Sequence, residues 1–249
     1  MVVACTILLG LVAGSFLNVV AHRAPAGASV VWPASHCPNC GKPILRMDNV
    51  PLISYAVLRG RCRRCEEPIP ARYPLVEGLT GLLFGAAALR FEGAGQLALS
   101  LALIFALITL AVTDLEHRLL PNAVVGPASI AGLVLSFWGG PAAWWAYPVA
   151  ALAVAGFLFG LATVYPGGMG MGDVKMGGML GLFLGPYAGM AVFVGALSGI
   201  AAYAALVFAG RLERGSALPF GTFMAFGGLV TLFAGPQLLG LYLDVIGAA

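Results

Sequence analysis

Long apolar runs broken by short charged clusters set the pattern of this chain. Charged residues are missing from 1–21, 93–113, 119–172, 176–210 and 215–243. Each run reaches or exceeds the roughly 20 apolar residues that cross about 30 Å of hydrocarbon. Lipid offers the backbone no hydrogen-bond partners, so each run is predicted to be helical. The pattern predicts an all-α polytopic membrane protein with seven or eight transmembrane helices. Residues 74–91 supply a second span between the first two clusters. The uncharged stretch 119–172 is long enough for two crossings, with a turn at Gly139-Gly140-Pro141 and Trp144, Trp145 and Tyr147 at interface depth. Residues 176–210 cross once, or twice with a break at Gly185-Pro186. Residues 216–234 cross again, and the tail PQLLGLYLDVIGAA is short for a further span.

Composition agrees: 60% of the 249 residues are hydrophobic and 9% are charged, against roughly 45–50% and 25% in a soluble domain. A soluble catalytic domain of ordinary size is excluded. The net charge of +3 says little about partners, and nothing points to nucleic acid. Charge distribution says more. Arg23, Lys42, Arg46, Arg59, Arg61, Arg63, Arg64 and Arg72 are eight of the thirteen basic residues, and all lie between the first two spans. The positive-inside rule places that loop in the cytoplasm. The first apolar run has no basic residue before it, so it is expected to be a retained span with its N-terminus outside. Arg211, Glu213 and Arg214 are also expected on the cytoplasmic side. The expected division is span one at 1–21, a cytoplasmic loop at 22–73 and a membrane core at 74–249. Two crossings separate Asp114 from Asp173, so parity puts both on one face, the cytoplasmic one.

The loop contains CPNCGKPI (37–44) and CRRCEEPI (62–69), two copies of C-x-x-C-x-x-P-I. The spacing between the pairs is that of a paired zinc knuckle. Cys37, Cys40, Cys62 and Cys65 are the candidate ligands of a structural Zn²⁺, since four thiolates close its tetrahedral shell. A redox dithiol pair is the other reading. A reducing cytoplasm disfavours two disulfides. The loop is too small to fold well by hydrophobic burial alone, which gives the metal a purpose. His36 is expected to be solvated rather than a ligand.

GGMGMGDVKM (167–176) ends a glycine ladder on a carboxylate. Carboxylates near hydrocarbon are costly and are functional candidates by default. Asp114 and Asp173 could simply mark span ends. Brought close together, they would share a proton and could act as acid and base on water attacking a peptide carbonyl. Gly170 and Gly172 would then form an extended strand holding substrate beside Asp173. Gly167 and Gly168 fit equally a flexible loop or tight helix packing. Lys175 either assists the pair or snorkels to the interface. Glu116, His117 and Arg118 read as a solvated turn. An ion-coupled transporter and a non-catalytic zinc-knuckle scaffold are the competing readings.

The chain resembles the type IV prepilin peptidases, the GxGD-type membrane aspartyl proteases. The likeness rests on GSFLNVVAHRAP (14–25), the two C-x-x-C pairs, NVPLISYAVLRGRC (49–62), RYPLVEGLTG (72–81), TDLEHRLLPN (113–122), GMGMGDVKM (168–176) and PFGTFMAFGG (219–228). It implies a bacterial inner-membrane enzyme that cleaves a short basic leader from prepilins or pseudopilins at the cytoplasmic face. Asp114 and Asp173 match the family's catalytic pair. The tetracysteine loop implies the bifunctional type, which also N-methylates the new terminus using S-adenosylmethionine. Glu77 is a candidate for that second activity. The chain departs from the family in three places: the segment before GSFLNV is short, Thr222 stands where proline is often found, and Met176 stands where leucine is common.

Overall fold

The computed structural model describes residues 1–165, 167–213, 215–216 and 218–245. Arg214 and the last four residues of the expected tail lie outside them. Among the described residues there is no β-strand, only two isolated bridges. The chain divides into two compact units, Met1–Glu92 and Gly93–Ala249.

The first unit contains α1 (Val2–Arg23), a single 3₁₀ turn (Arg46–Asn49), α2 (Ile53–Val57) and α3 (Arg72–Arg90). Helix α3, which the sequence reading groups with the later spans, packs instead on α1. Glycine is what lets them meet: a Cβ on Gly10 would sit 2.8 Å from the Cα of Gly81, and one on Gly14 would sit 2.7 Å from the Cα of Glu77. On α3, Gly81 and Gly85 face Leu11 and Ile7. Both helices thus carry a G-x-x-x-G face, the small-residue solution to close packing where lipid removes the hydrophobic drive between helices. Any side chain larger than hydrogen at Gly14 would force the backbones apart.

The second unit contains α4 (Ala94–His117), α5 (Asn122–Gly139), α6 (Ala146–Val164), α7 (Met171–Leu184), α8 (Ala188–Phe208) and α9 (Phe220–Val245). Its core is Leu103, Leu107 and Leu110 of α4 against Met176, Met179 and Leu180 of α7 and Met224 of α9. Threonines inside α4 return their hydroxyls to their own helix: Thr109 donates to the Phe105 carbonyl at 2.7 Å and Thr113 to that of Leu110 at 3.0 Å. Close crossings again fall on glycines. Gly95 meets Gly139, Gly181 meets Ala151, and Gly227 meets Ala191.

Six stretches are long and apolar enough to cross a membrane: Val2–Arg23, Ala94–His117, Asn122–Gly139, Ala146–Val164, Met171–Phe208 and Phe220–Asp244. The chain is therefore a multi-pass membrane protein. One stretch, Met171–Phe208, holds both α7 and α8, parted by a 3₁₀ turn at Gly185–Tyr187 where the sequence pattern writes its break. Helix α3, with Arg72, Glu77 and Arg90, is not among the six. The tail is not a separate segment: α9 runs through Pro236 to Val245 as one helix of 26 residues. Proline in a membrane helix is tolerated when neighbouring groups re-satisfy the freed backbone.

Candidate functional site

Asp114 lies in the last turn of α4 and is buried at 5% exposure. The helix closes just beyond it, with Arg118 in the left-handed conformation at φ 53° donating its N–H to the Asp114 carbonyl. The Asp114 carboxylate faces the first turn of α9, whose amides have no intrahelical partner. Its Oδ2 accepts the Thr222 N–H at 2.7 Å and the Thr222 hydroxyl at 3.1 Å. Glycine at 221 eases this approach, because a Cβ there would sit 3.1 Å from that oxygen and 2.9 Å from Leu120, and both side chains would have to shift. Proline at position 222 has no N–H and could not make the first bond.

Asp173 lies in the first turn of α7 and is half-buried. Its Oδ2 accepts the Gly170 N–H at 3.2 Å, one half of a capping box, since glycine has no side chain to reciprocate. The glycine ladder is not the extended strand the sequence suggests. Gly170 is the extended residue before the helix (φ −81°, ψ 148°), and Gly172 already belongs to α7. The reason is Asp173 itself, a strong helix-start residue three positions after Gly170. Gly172 serves packing: a Cβ there would lie 3.1 Å from Leu120.

Leu120 therefore lies against both acidic neighbourhoods, at Gly172 and at Gly221. Lys175 is exposed and donates to Asn122 Oδ1 at 2.9 Å, turned to the start of α5 rather than to the acids. Glu116, His117 and Arg118 are exposed. Both carboxylates thus stand at helix ends, Asp114 buried and Asp173 half-buried.

The first unit carries the second constellation. The Sγ atoms of Cys37, Cys40, Cys62 and Cys65 lie within 4.8 Å of one another. Cys37 and Cys65 are 3.8 Å apart, the edge length of a tetrahedron with Zn–S bonds of about 2.3 Å. The two knuckles are built alike. Cys37 N–H donates to Lys42 and Gly41 N–H to Cys37, while Cys62 N–H donates to Glu67 and Glu66 N–H to Cys62, all at 2.9 Å. Bridges His36–Pro43 and Arg61–Pro68 close the two turns. The residue after each second cysteine is left-handed, Gly41 at φ 67° and Glu66 at φ 58°. The backbone N–H groups of Arg64 and Cys65 pull the Cys62 thiol down to about 7. Against a lowering backbone bond from Glu67, desolvation and the other three thiols push Cys65 up to about 11, so four crowded thiols need a cation to ionise together. The donor set fits Zn²⁺ with no position left open, as a structural site requires. His36 is exposed and outside the cluster.

Glu77 is buried in α3 and accepts the Leu52 N–H at 2.9 Å, tying the loop to the helix. Leu52 is itself left-handed at φ 60°. Sequence reasoning passed over Asn18, buried at 2% exposure in α1. Its signal is an amide inside an uncharged run, near its end.

Comparison with known proteins falls along the same division. Residues 8–91 match the Bacterial Peptidase A24 N-terminal domain and residues 101–206 the Type IV leader peptidase family, so the class is a membrane leader peptidase. The prepilin leader peptidase/N-methyltransferase of Burkholderia pseudomallei strain 1026b is 36% identical over 266 residues, covering 94% of this chain and 86% of the relative. That of Pseudomonas aeruginosa is 35% identical over 280 residues, covering 98% and 94%. That of Stutzerimonas stutzeri is 35% identical over 272 residues, covering 97% and 94%. The chain belongs to the prepilin leader peptidase/N-methyltransferase family. No solved structure matches it.

Proposed function

We propose that this chain removes the basic leader from prepilins or pseudopilins at the cytoplasmic face of the bacterial inner membrane and N-methylates the new terminus with S-adenosylmethionine. Asp114 and Asp173 carry the hydrolysis. Water attacks the scissile carbonyl carbon while one carboxylate takes its proton and the other, protonated, gives its own to the carbonyl oxygen. The gem-diol then collapses. The carboxyl that gained a proton passes it to the amide nitrogen, its partner takes a hydroxyl proton, and the C–N bond breaks. The pair ends with the single shared proton it began with.

The observation that carries this reading is that both carboxylates stand at helix ends, of α4 and α7, with Leu120 packed against the glycine beside each, Gly221 and Gly172. A transporter would need its acids near mid-membrane on broken helices. The eight basic residues of the loop support a cytoplasmic loop, and parity supports the same face for the acids. Gly170 and the turn before it would leave room for the substrate backbone beside Asp173. The four cysteines would hold zinc that folds the loop and takes no part in hydrolysis.

Purified protein incubated with a prepilin, followed by mass spectrometry, tests this. The wild type should release the leader, and Asp114→Asn or Asp173→Asn should slow release by about 10²–10⁴-fold. Full processing by either variant would remove that residue from the mechanism.

A further inference from the structure

Asp114 and Asp173 stand on different helices, and the connection 118–121 runs from the end of α4 to the start of α5 beside both. This connection is stiff. Arg118 is left-handed and donates its N–H to the Asp114 carbonyl at 2.9 Å. The ring of Pro121 fixes its φ, and its carbonyl accepts the Val124 and Val125 N–H groups at 2.9 and 3.0 Å. Leu120, between these two, meets the first turns of α7 and α9. A Cβ on Gly172 would lie 3.1 Å from the Leu120 Cβ, and one on Gly221 would lie 2.9 Å from its Cδ2. Gly172 directly precedes Asp173, and a Cβ on Gly221 would also lie 3.1 Å from Asp114 Oδ2. Leu120 is therefore lodged between the two acidic turns.

A polar tie fastens this connection to α7. Lys175 Nζ donates to Asn122 Oδ1 at 2.9 Å, across 53 residues of sequence. Lys175 lies two positions after Asp173, and Asn122 two after Leu120. The tie thus closes a ring that runs from Asp114 through the connection to Asn122, across to Lys175 and back to Asp173. Farther along the same two helices Gly132 meets the Phe183 ring, so packing sets their spacing there and the tie sets it at the acidic end. Both partners are exposed, so the bond itself is weak. Its value is geometric, because displacing a reacting group by about 1 Å can cost about 10²-fold in rate.

We propose that Lys175 is a positioning residue: bound to Asn122, it holds the 118–121 connection on α7 so that Leu120 sets the separation of Asp114 and Asp173. The inference rests on the two-acid hydrolysis reading. In this role the ammonium is a hydrogen-bond donor to Asn122, and its charge is not offered to the acids or to the substrate. Losing the tie lets Leu120 shift and misaligns the acids, which lowers turnover without weakening substrate binding.

The test is kcat and KM for prepilin cleavage by the purified full-length wild type, Lys175→Met, Asn122→Leu, the double variant of these two, and a Lys175→Gln/Asn122→Gln pair. In the last, a neutral amide donates, and the longer acceptor offsets the shorter donor. Each single variant should lose about three- to tenfold in kcat, with KM and the unfolding midpoint unchanged. The double variant should be no slower than either single one, because both remove the same bond. The glutamine pair should regain most of the wild-type kcat. A slow Lys175→Met beside a wild-type-like Asn122→Leu, or a glutamine pair as slow as Lys175→Met, would overturn the proposal and make the charge itself the active feature. Unchanged kcat in both single variants, or a loss matched by a raised KM or a lowered midpoint, would overturn it as well. Asp114→Asn and Asp173→Asn are measured alongside: full processing by either overturns the two-acid reading, whereas their inactivity beside wild-type-like tie variants overturns this inference alone.

Discussion

Within residues 24–71 only Cys37 and Ser54 are buried, whereas the second unit buries leucines and methionines along α4, α7 and α9. The cysteines of the first unit therefore sit in a segment with no core of its own, and the two acids of the second sit at the ends of well-packed helices. The difference sets what each site needs. The cysteine loop is held by the Arg63–Asp48 ion pair at 2.7 Å and a few turn hydrogen bonds, and its four thiols are spaced to close around a metal. The acids are held by backbone amides at helix starts, which the fold supplies without a cofactor. One region has thiols in place of a core, and the other is ordered by packing.

Metal removal tests the contrast most sharply, because structural zinc contributes roughly 10 kcal/mol or more to such knuckles. Cys37→Ser combined with Cys62→Ser should abolish zinc binding and expose Arg59, Arg61, Arg63 and Arg64 to trypsin, while residues 93–213 stay helical and resistant. A zinc-free protein with a protected loop would erase the contrast. Next in size is Gly14→Leu, which forces α1 from α3 and should destabilise the first unit by about 1–3 kcal/mol or more, read as a lower unfolding midpoint for that unit alone. Thr222→Val keeps the amide to Asp114 but removes the hydroxyl, and should slow cleavage about two- to tenfold. An effect as large as that of Asp114→Asn would make the hydroxyl indispensable. The smallest change is Glu66→Gly, which relieves a left-handed residue in the second knuckle and should strengthen the loop by about 1 kcal/mol.

Much of this was legible in the chain before its structure. Uncharged runs set the helices, the repeated C-x-x-C-x-x-P-I set the two like-built knuckles, and Gly185-Pro186 set the break between α7 and α8. Other features needed three dimensions. Thr222 meets Asp114 across 108 residues, and no local periodicity reports such a contact. The glycine ladder read as a strand because glycine permits extended backbone, but Asp173 starts a helix there. The last span was expected at 216–234, yet α9 continues through Pro236 to Val245. The grouping of α3 with α1 was written in GLVAG and GLLFG, a four-residue glycine spacing on each helix, which a search for charge alone overlooks. Asn18 escaped because one amide barely changes hydropathy, although burial makes it conspicuous.

The central claim is that Asp114 and Asp173 act as one unit. Leader-cleavage rates of Asp114→Asn, Asp173→Asn and the double variant, measured side by side on one prepilin, address it most directly. A joint catalytic unit predicts that each single variant is as slow as the double, because removing either partner removes the shared proton. A double variant slowed by the product of the two single effects, or a single variant near the wild-type rate, would contradict the account.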